Sequence, residues 1–87
     1  MKKFCAKIIV KTKPTVKDIK GQTLKNAIES YMPIDNLSCS VGSVYYINYC
    51  AKTEGEALHL ANGIAKDILS NEVIETYEIR ALDEIYE

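Results

Sequence analysis

The chain has 87 residues, 47% hydrophobic and 26% charged, enough for one domain spanning residues 1–87 and too rich in apolar side chains for disorder. Its net charge of −1 conceals an uneven distribution: residues 1–25 carry eight lysines against Asp18, while residues 26–87 carry three bases against eleven acids. No apolar run reaches the roughly 20 residues of a membrane span, and no secretory leader is visible, so a cytoplasmic protein is expected.

Residues 4–10 alternate, with Phe4, Ala6, Ile8 and Val10 on one side and Cys5, Lys7 and Ile9 on the other, the pattern of a half-buried strand. Lys13-Pro14 ends it, because proline cannot donate to a ladder. Asp18 is placed to cap a helix running to about Tyr31, with Leu24, Ala27, Ile28 and Tyr31 as its apolar stripe and Pro33 beyond its end. Leu37, Cys39 and Val41 alternate with serines, predicting a second strand, and Gly42-Ser43 predicts a tight hairpin turn. A third strand is expected over residues 44–50, with Tyr45, Ile47 and Tyr49 on one face and Val44, Tyr46 and Asn48 on the other. Thr53 and Glu56 form a capping box opening a helix that runs to about Ser70, with Ala57, Leu60, Ala61, Ile64 and Ile68 as its stripe. Asn71 is expected to end that helix in a left-handed conformation. The last strand is expected over residues 73–82, with Tyr77, Ile79 and Ala81 on one face.

The order is βαββαβ, and its economical solution is a ferredoxin-like two-layer α+β sandwich: an antiparallel sheet with both helices on one face. The usual strand order sets the basic first strand beside the acidic last one, so that Lys7 and Lys11 share a face with Glu78 and Arg80. The helix-free face carries Cys5, Ile9, Val44, Tyr46 and Cys50. This apolar content predicts self-association through the sheet, as a homodimer or homotetramer.

Catalytic residues are not expected. His59 is the single histidine and lies opposite its helix's apolar stripe. Cys5, Cys39 and Cys50 are odd in number and widely spaced, which suits reduced thiols rather than a disulfide or metal site. Lys11, Lys13, Lys17 and Lys20 flank a helix N-terminus and are candidate anion contacts. The tyrosine-rich third strand lacks the basic residue, second glycine and phenylalanine of an RNA-recognition strand, so no nucleic-acid partner is expected.

Two stretches carry a resemblance. Residues 13–22, Lys-Pro-Thr-Val-Lys-Asp-Ile-Lys-Gly-Gln, and residues 68–79, Ile-Leu-Ser-Asn-Glu-Val-Ile-Glu-Thr-Tyr-Glu-Ile, are similar to segments of the PurS family, the small subunit of phosphoribosylformylglycinamidine (FGAM) synthase. Ile19 and Glu72 stand where the family has prolines, and the stretch Ser40-Val41-Gly42-Ser43 lacks two basic residues of the family's hairpin. The resemblance implies Pro14, Asp18, Gly21, Gly42, Asn71, Ile74, Glu75 and Tyr77 as family-motif or interface positions. It also implies an accessory subunit of an ATP- and glutamine-dependent C–N ligase of purine synthesis, one that oligomerises. Its other partners would be a PurQ-type glutaminase that releases ammonia and a PurL-type synthetase that activates the amide oxygen as an iminophosphate. No cofactor or metal is expected in this chain; ATP, Mg and glutamine belong to the complex. The alternative class is a ferredoxin-like regulatory module that binds a small metabolite.

Overall fold

A computed structural model describes residues 1–86. The elements run β1 (Lys2–Thr12), α1 (Ile19–Tyr31), β2 (Gly42–Ala51), α2 (Glu54–Ile64), a π-helical turn (Ala65–Leu69) and β3 (Glu75–Ile85). The strands form one antiparallel sheet in the order β2-β1-β3, with the most deeply buried strand at its centre. The ferredoxin-like α+β class and the place of the first strand beside the last agree with the sequence reading, but the sheet has three strands, not four, and α2 alone, not both helices, covers its face.

The core follows from the alternation of β1. Phe4, Ala6, Ile8 and Val10 are all buried, and α2 and the π-helical turn lie over them on three small residues, Ala57, Ala61 and Ala65. Alanines let the helix axis approach the sheet closely, so Tyr45, Ile47, Tyr49 and Ile79 fill the flanks. The Tyr49 hydroxyl donates to the Ala57 carbonyl, pinning the first turn of α2 to β2. Burial pushes that hydroxyl above the ordinary phenol range.

Several details depart from expectation. The segment 37–41 is not a strand. Its Val41 N–H is given to the Asp18 carboxylate at 2.9 Å, so the segment caps α1 and does not extend the sheet. Gly42-Ser43 is not a hairpin turn either: no glycine has a positive φ, and both residues lie at the start of β2. A β-carbon at Gly42 would lie 2.7 Å from the Val10 carbonyl oxygen, so close approach of β1, not backbone conformation, demands glycine there.

Two register shifts move side chains between faces. The pairing of β1 with β3 slips between Lys7 and Ile8: Ile8 faces Ile79, but Ala6 faces Leu82. One extra residue in β3 reverses the alternation, so Leu82, and not Ala81, shares the core face with Tyr77 and Ile79. In the second helix the π-helical turn inserts one residue, with Ser70 N–H bonded to the Ala65 carbonyl at 3.0 Å. Leu69 therefore packs on the core, and Ile68 points to solvent, 75% exposed.

The largest departure concerns α1. It starts at the end of the sheet and makes no substantial packing contact with α2 or with any strand of its own chain. Leu24 is 48% exposed and Tyr31 90%. The radius of gyration is 16.8 Å, against about 12 Å for a compact chain of this length.

Candidate functional site

The motif residues converge on one end of the sheet. Asp18 is the hub. Its Oδ1 accepts from Gly21 N–H and its Oδ2 from Val41 N–H, both at 2.9 Å. These bonds, Gly21's first, hold its carboxyl below the ordinary carboxylate value, with Lys20 adding to the effect and partial burial opposing it. Gly21 is buried against the other side of the same joint. A β-carbon there would lie 2.5 Å from the Cys39 carbonyl oxygen and 2.7 Å from Asp18 Oδ2, which leaves room only for glycine. The expected N-cap is thus also a clamp between α1 and the segment leading into β2.

Pro14 sits second in a turn closed by the Val16 N–H and Lys13 carbonyl at 2.9 Å, the position that proline's fixed φ favours. Lys13 N–H then donates to the Ile74 carbonyl at 2.8 Å, tying this turn to the lead-in of β3.

Asn71 organises that lead-in. It has no left-handed conformation; Asn36 is the one non-glycine residue with positive φ among those described. Its carbonyl accepts from Ile74 and Glu75, its Oδ1 accepts from Val73 N–H at 3.0 Å, and its own N–H donates to Glu75 Oε1 at 2.8 Å. The Asn71–Glu75 pair is therefore a closed turn, reciprocal in the manner of a capping box. Tyr77 follows two residues later, half-buried opposite Val10. Between the Asp18 clamp and the Asn71 turn lies an open cavity of about 320 Å³, lined among others by Thr12, Lys17, Lys20, Ser43, Ile74 and Glu75.

The lysines do not gather into one cluster. Lys17 and Lys20 line this cavity, whereas Lys11 lies at a separate, smaller one with Thr76 and Glu78. Nor do Lys7 and Lys11 meet acids directly opposite on β3: they face Ala81 and Thr76, while Glu78 lies between them on the same face, opposite Ile9. Among the described residues Lys2 pairs across the strands with Glu84 at 3.7 Å, and Arg80 pairs along its own strand with Glu78 at 3.3 Å. Glu87, at the acidic end of the sequence, lies outside the described residues.

Cys5, Ile9, Val44 and Tyr46 all lie on the face opposite α2. Cys5 and Ile9 are half-buried, while Val44 and Tyr46 are exposed, with the Lys7 ammonium 5.9 Å from the Tyr46 ring centre. His59 is exposed. Among the described residues no group of three His, Cys, Asp or Glu side chains is placed to hold a metal ion, and no helix is long and apolar enough to cross a membrane. Thr12, Val41 and Ser43 belong to the site but escape sequence reasoning; only their chain proximity to Pro14 and Gly42 could have suggested them.

An antiparallel sheet carrying one packed helix, with a second helix held off its end by a carboxylate clamp, defines a small ferredoxin-like protein with surface left for partners. Comparison with known proteins is more specific. The family model PurS, phosphoribosylformylglycinamidine (FGAM) synthase, matches residues 5–83, and the chain belongs to that family. Among solved structures, Thermus thermophilus PurS is similar at 25% identity and a TM-score of 0.83, over 97% of this chain and 99% of that one. Methanocaldococcus jannaschii PurS, one of the subunits of formylglycinamide ribonucleotide amidotransferase in the purine biosynthetic pathway, matches at 23% identity and a TM-score of 0.80, over 95% and 99%. A chain in the structure of PurLQS from Thermotoga maritima matches at 21% identity and a TM-score of 0.81, over 98% of this chain and 100% of that one. No curated protein matches by sequence.

Proposed function

We propose that this chain is a bridging subunit of FGAM synthase without catalytic residues of its own, and that it self-associates and contacts a PurL-type synthetase and a PurQ-type glutaminase. Family membership supports the pathway. The observation that carries the bridging role is α1: a 13-residue helix whose Leu24 is left half exposed and whose Tyr31 is left almost fully exposed by their own chain. Apolar area left in water forgoes about 25 cal/mol per Å², so a second chain that covers it gains that stabilisation. The helix-free sheet face, with Cys5, Ile9, Val44 and Tyr46, offers a second surface of the same kind. Lys11, Lys13, Lys17 and Lys20 are assigned to contacts with acidic groups of a partner. ATP, Mg and glutamine chemistry, in this reading, resides on the partner subunits.

The test is a pull-down from the native source with the tagged chain as bait, read by mass spectrometry. Recovery of a glutamine amidotransferase and an ATP-dependent synthetase is expected. Recovery of neither, with stabilisation of the isolated chain by a single small metabolite, would favour the regulatory alternative.

A further inference from the structure

Two open cavities meet at the end of the sheet where β1 stops and β2 and β3 begin. The first is the one of about 320 Å³ between the Asp18 clamp and the Asn71 turn, with a mixed polar and apolar lining. The second, of about 360 Å³, lies along the first turns of α1, and its lining is almost entirely apolar surface of Ile19, Thr23, Leu24 and Val41. Ile19, Lys20 and Val41 line both, so the two are halves of one groove.

The charges of the mixed half are not engaged equally. Its acids are tied to the backbone: Asp18 accepts from the Gly21 and Val41 N–H groups, and Glu75 accepts from the Asn71 N–H. Its lysines are exposed, and among the described residues neither Lys17 nor Lys20 forms an ion pair. The chain thus occupies its own carboxylates here and leaves two ammonium groups for an outside anion. In the apolar half, Ile19 is 68% exposed and Leu24 is half exposed. A free small anion would satisfy the lysines and leave these two side chains in water. An apolar segment without an acid would cover them and desolvate the ammonium groups without a partner. Only an occupant that carries both features matches the whole groove. We infer that the groove seats a segment of a partner subunit in which an acidic side chain lies beside an aliphatic one. The carboxylate is held by Lys17 and Lys20, and the aliphatic group lies against Ile19 and Leu24. This rests on the bridging role proposed above and places one of its contacts.

The test is binding of the chain to the purified PurL-type synthetase and PurQ-type glutaminase of the same source, singly and together, with Mg, ATP and glutamine present and NaCl varied. Lys17→Glu with Lys20→Glu should weaken binding to at least one of them ~10-fold or more and flatten its salt dependence, with circular dichroism and thermal unfolding unchanged. Ile19→Ser should weaken the same binding by about tenfold and keep the salt dependence, since it removes apolar area and no charge. Lys2→Glu with Lys52→Glu, an equal change of net charge at the opposite end of the sheet, should bind as the wild type does. Wild-type affinity and salt dependence in the Lys17/Lys20 variant would overturn the groove contact and leave the bridging role standing. So would loss of self-association in sedimentation with subunit binding intact, which makes a second copy the occupant. Thermal stabilisation of the wild type, and not of the Lys17/Lys20 variant, by inorganic phosphate, with subunit binding unaffected by the substitutions, would overturn it in favour of a free anion. A wild-type chain that binds neither subunit, singly or together, would overturn both the contact and the bridging role.

Discussion

The two helices have similar apolar stripes in sequence and opposite fates in the fold. α2 carries alanines where it meets β1, so it can lie close, and the sheet provides Ile8 and Val10 beneath it. α1 carries Leu24, Ala27, Ile28 and Tyr31 at the same spacing, yet its start is fixed by Asp18 to Val41 and by Gly21 to Cys39 at the sheet's end. Short connections decide where a helix can reach, and here they direct α1 away from its own core. A stripe predicts that a helix will be covered; it does not say by which chain.

The predictions bear on this contrast. The largest effect belongs to the α2 layer: Phe4→Ala should cost about 3–5 kcal/mol in denaturant unfolding, because Phe4 is 2% exposed and its removal leaves a cavity. Next come two neighbours in the π-helical turn. Leu69→Ala should cost about 2 kcal/mol, while Ile68→Ala should stay within about 0.5 kcal/mol. Equal effects at both positions would remove the one-residue shift. In α1, Leu24→Ser should leave monomer unfolding nearly unchanged and weaken association by about tenfold, equivalent to ~1.4 kcal/mol, by analytical ultracentrifugation. A large loss of monomer stability would mean that α1 packs on its own sheet after all.

The smallest effect is the pH response of the Asp18 clamp. Its folded-state pKa is depressed, so the clamp's stabilisation is full above the ordinary aspartate pKa and is lost as pH falls through the lower folded value. Amide exchange at Gly21 and Val41, followed by NMR, should be protected at neutral pH and rise relative to the core amides in acid. Asp18→Asn should abolish that pH dependence, and Gly21→Ala should raise exchange at Val41 at every pH by displacing the segment behind it.

What can be read in advance follows from local rules. The alternation of Phe4, Ala6, Ile8 and Val10, the cap at Asp18, the cap at Thr53 and the stop at Met32-Pro33 depend on near neighbours, and all are present. Thr53 accepts from the Glu56 N–H at 3.1 Å, as its spacing suggests. The misreadings arise where one residue changes phase through a distant partner. Periodicity puts Ala81 and Ile68 each on the wrong face, because it cannot register a slip opposite Lys7 or a wide turn after Ile64. Residues 37–41 alternate like a strand, but Val41 gives its N–H to a carboxylate 23 positions earlier. The site divides the same way. Asp18, Gly21 and Asn71 are visible as motif positions, while their convergence with Lys13 and Ile74 at one end of the sheet requires the fold.

The central claim is that this chain serves FGAM synthase as a bridge and not as a catalyst. It is tested most directly by glutamine-dependent FGAM formation in mixtures of the purified synthetase and glutaminase subunits, with and without the chain. Efficient synthesis only when all three are present, and none by the chain alone, is the expected result. Turnover by the chain alone, or full glutamine-dependent activity without it, would contradict the account.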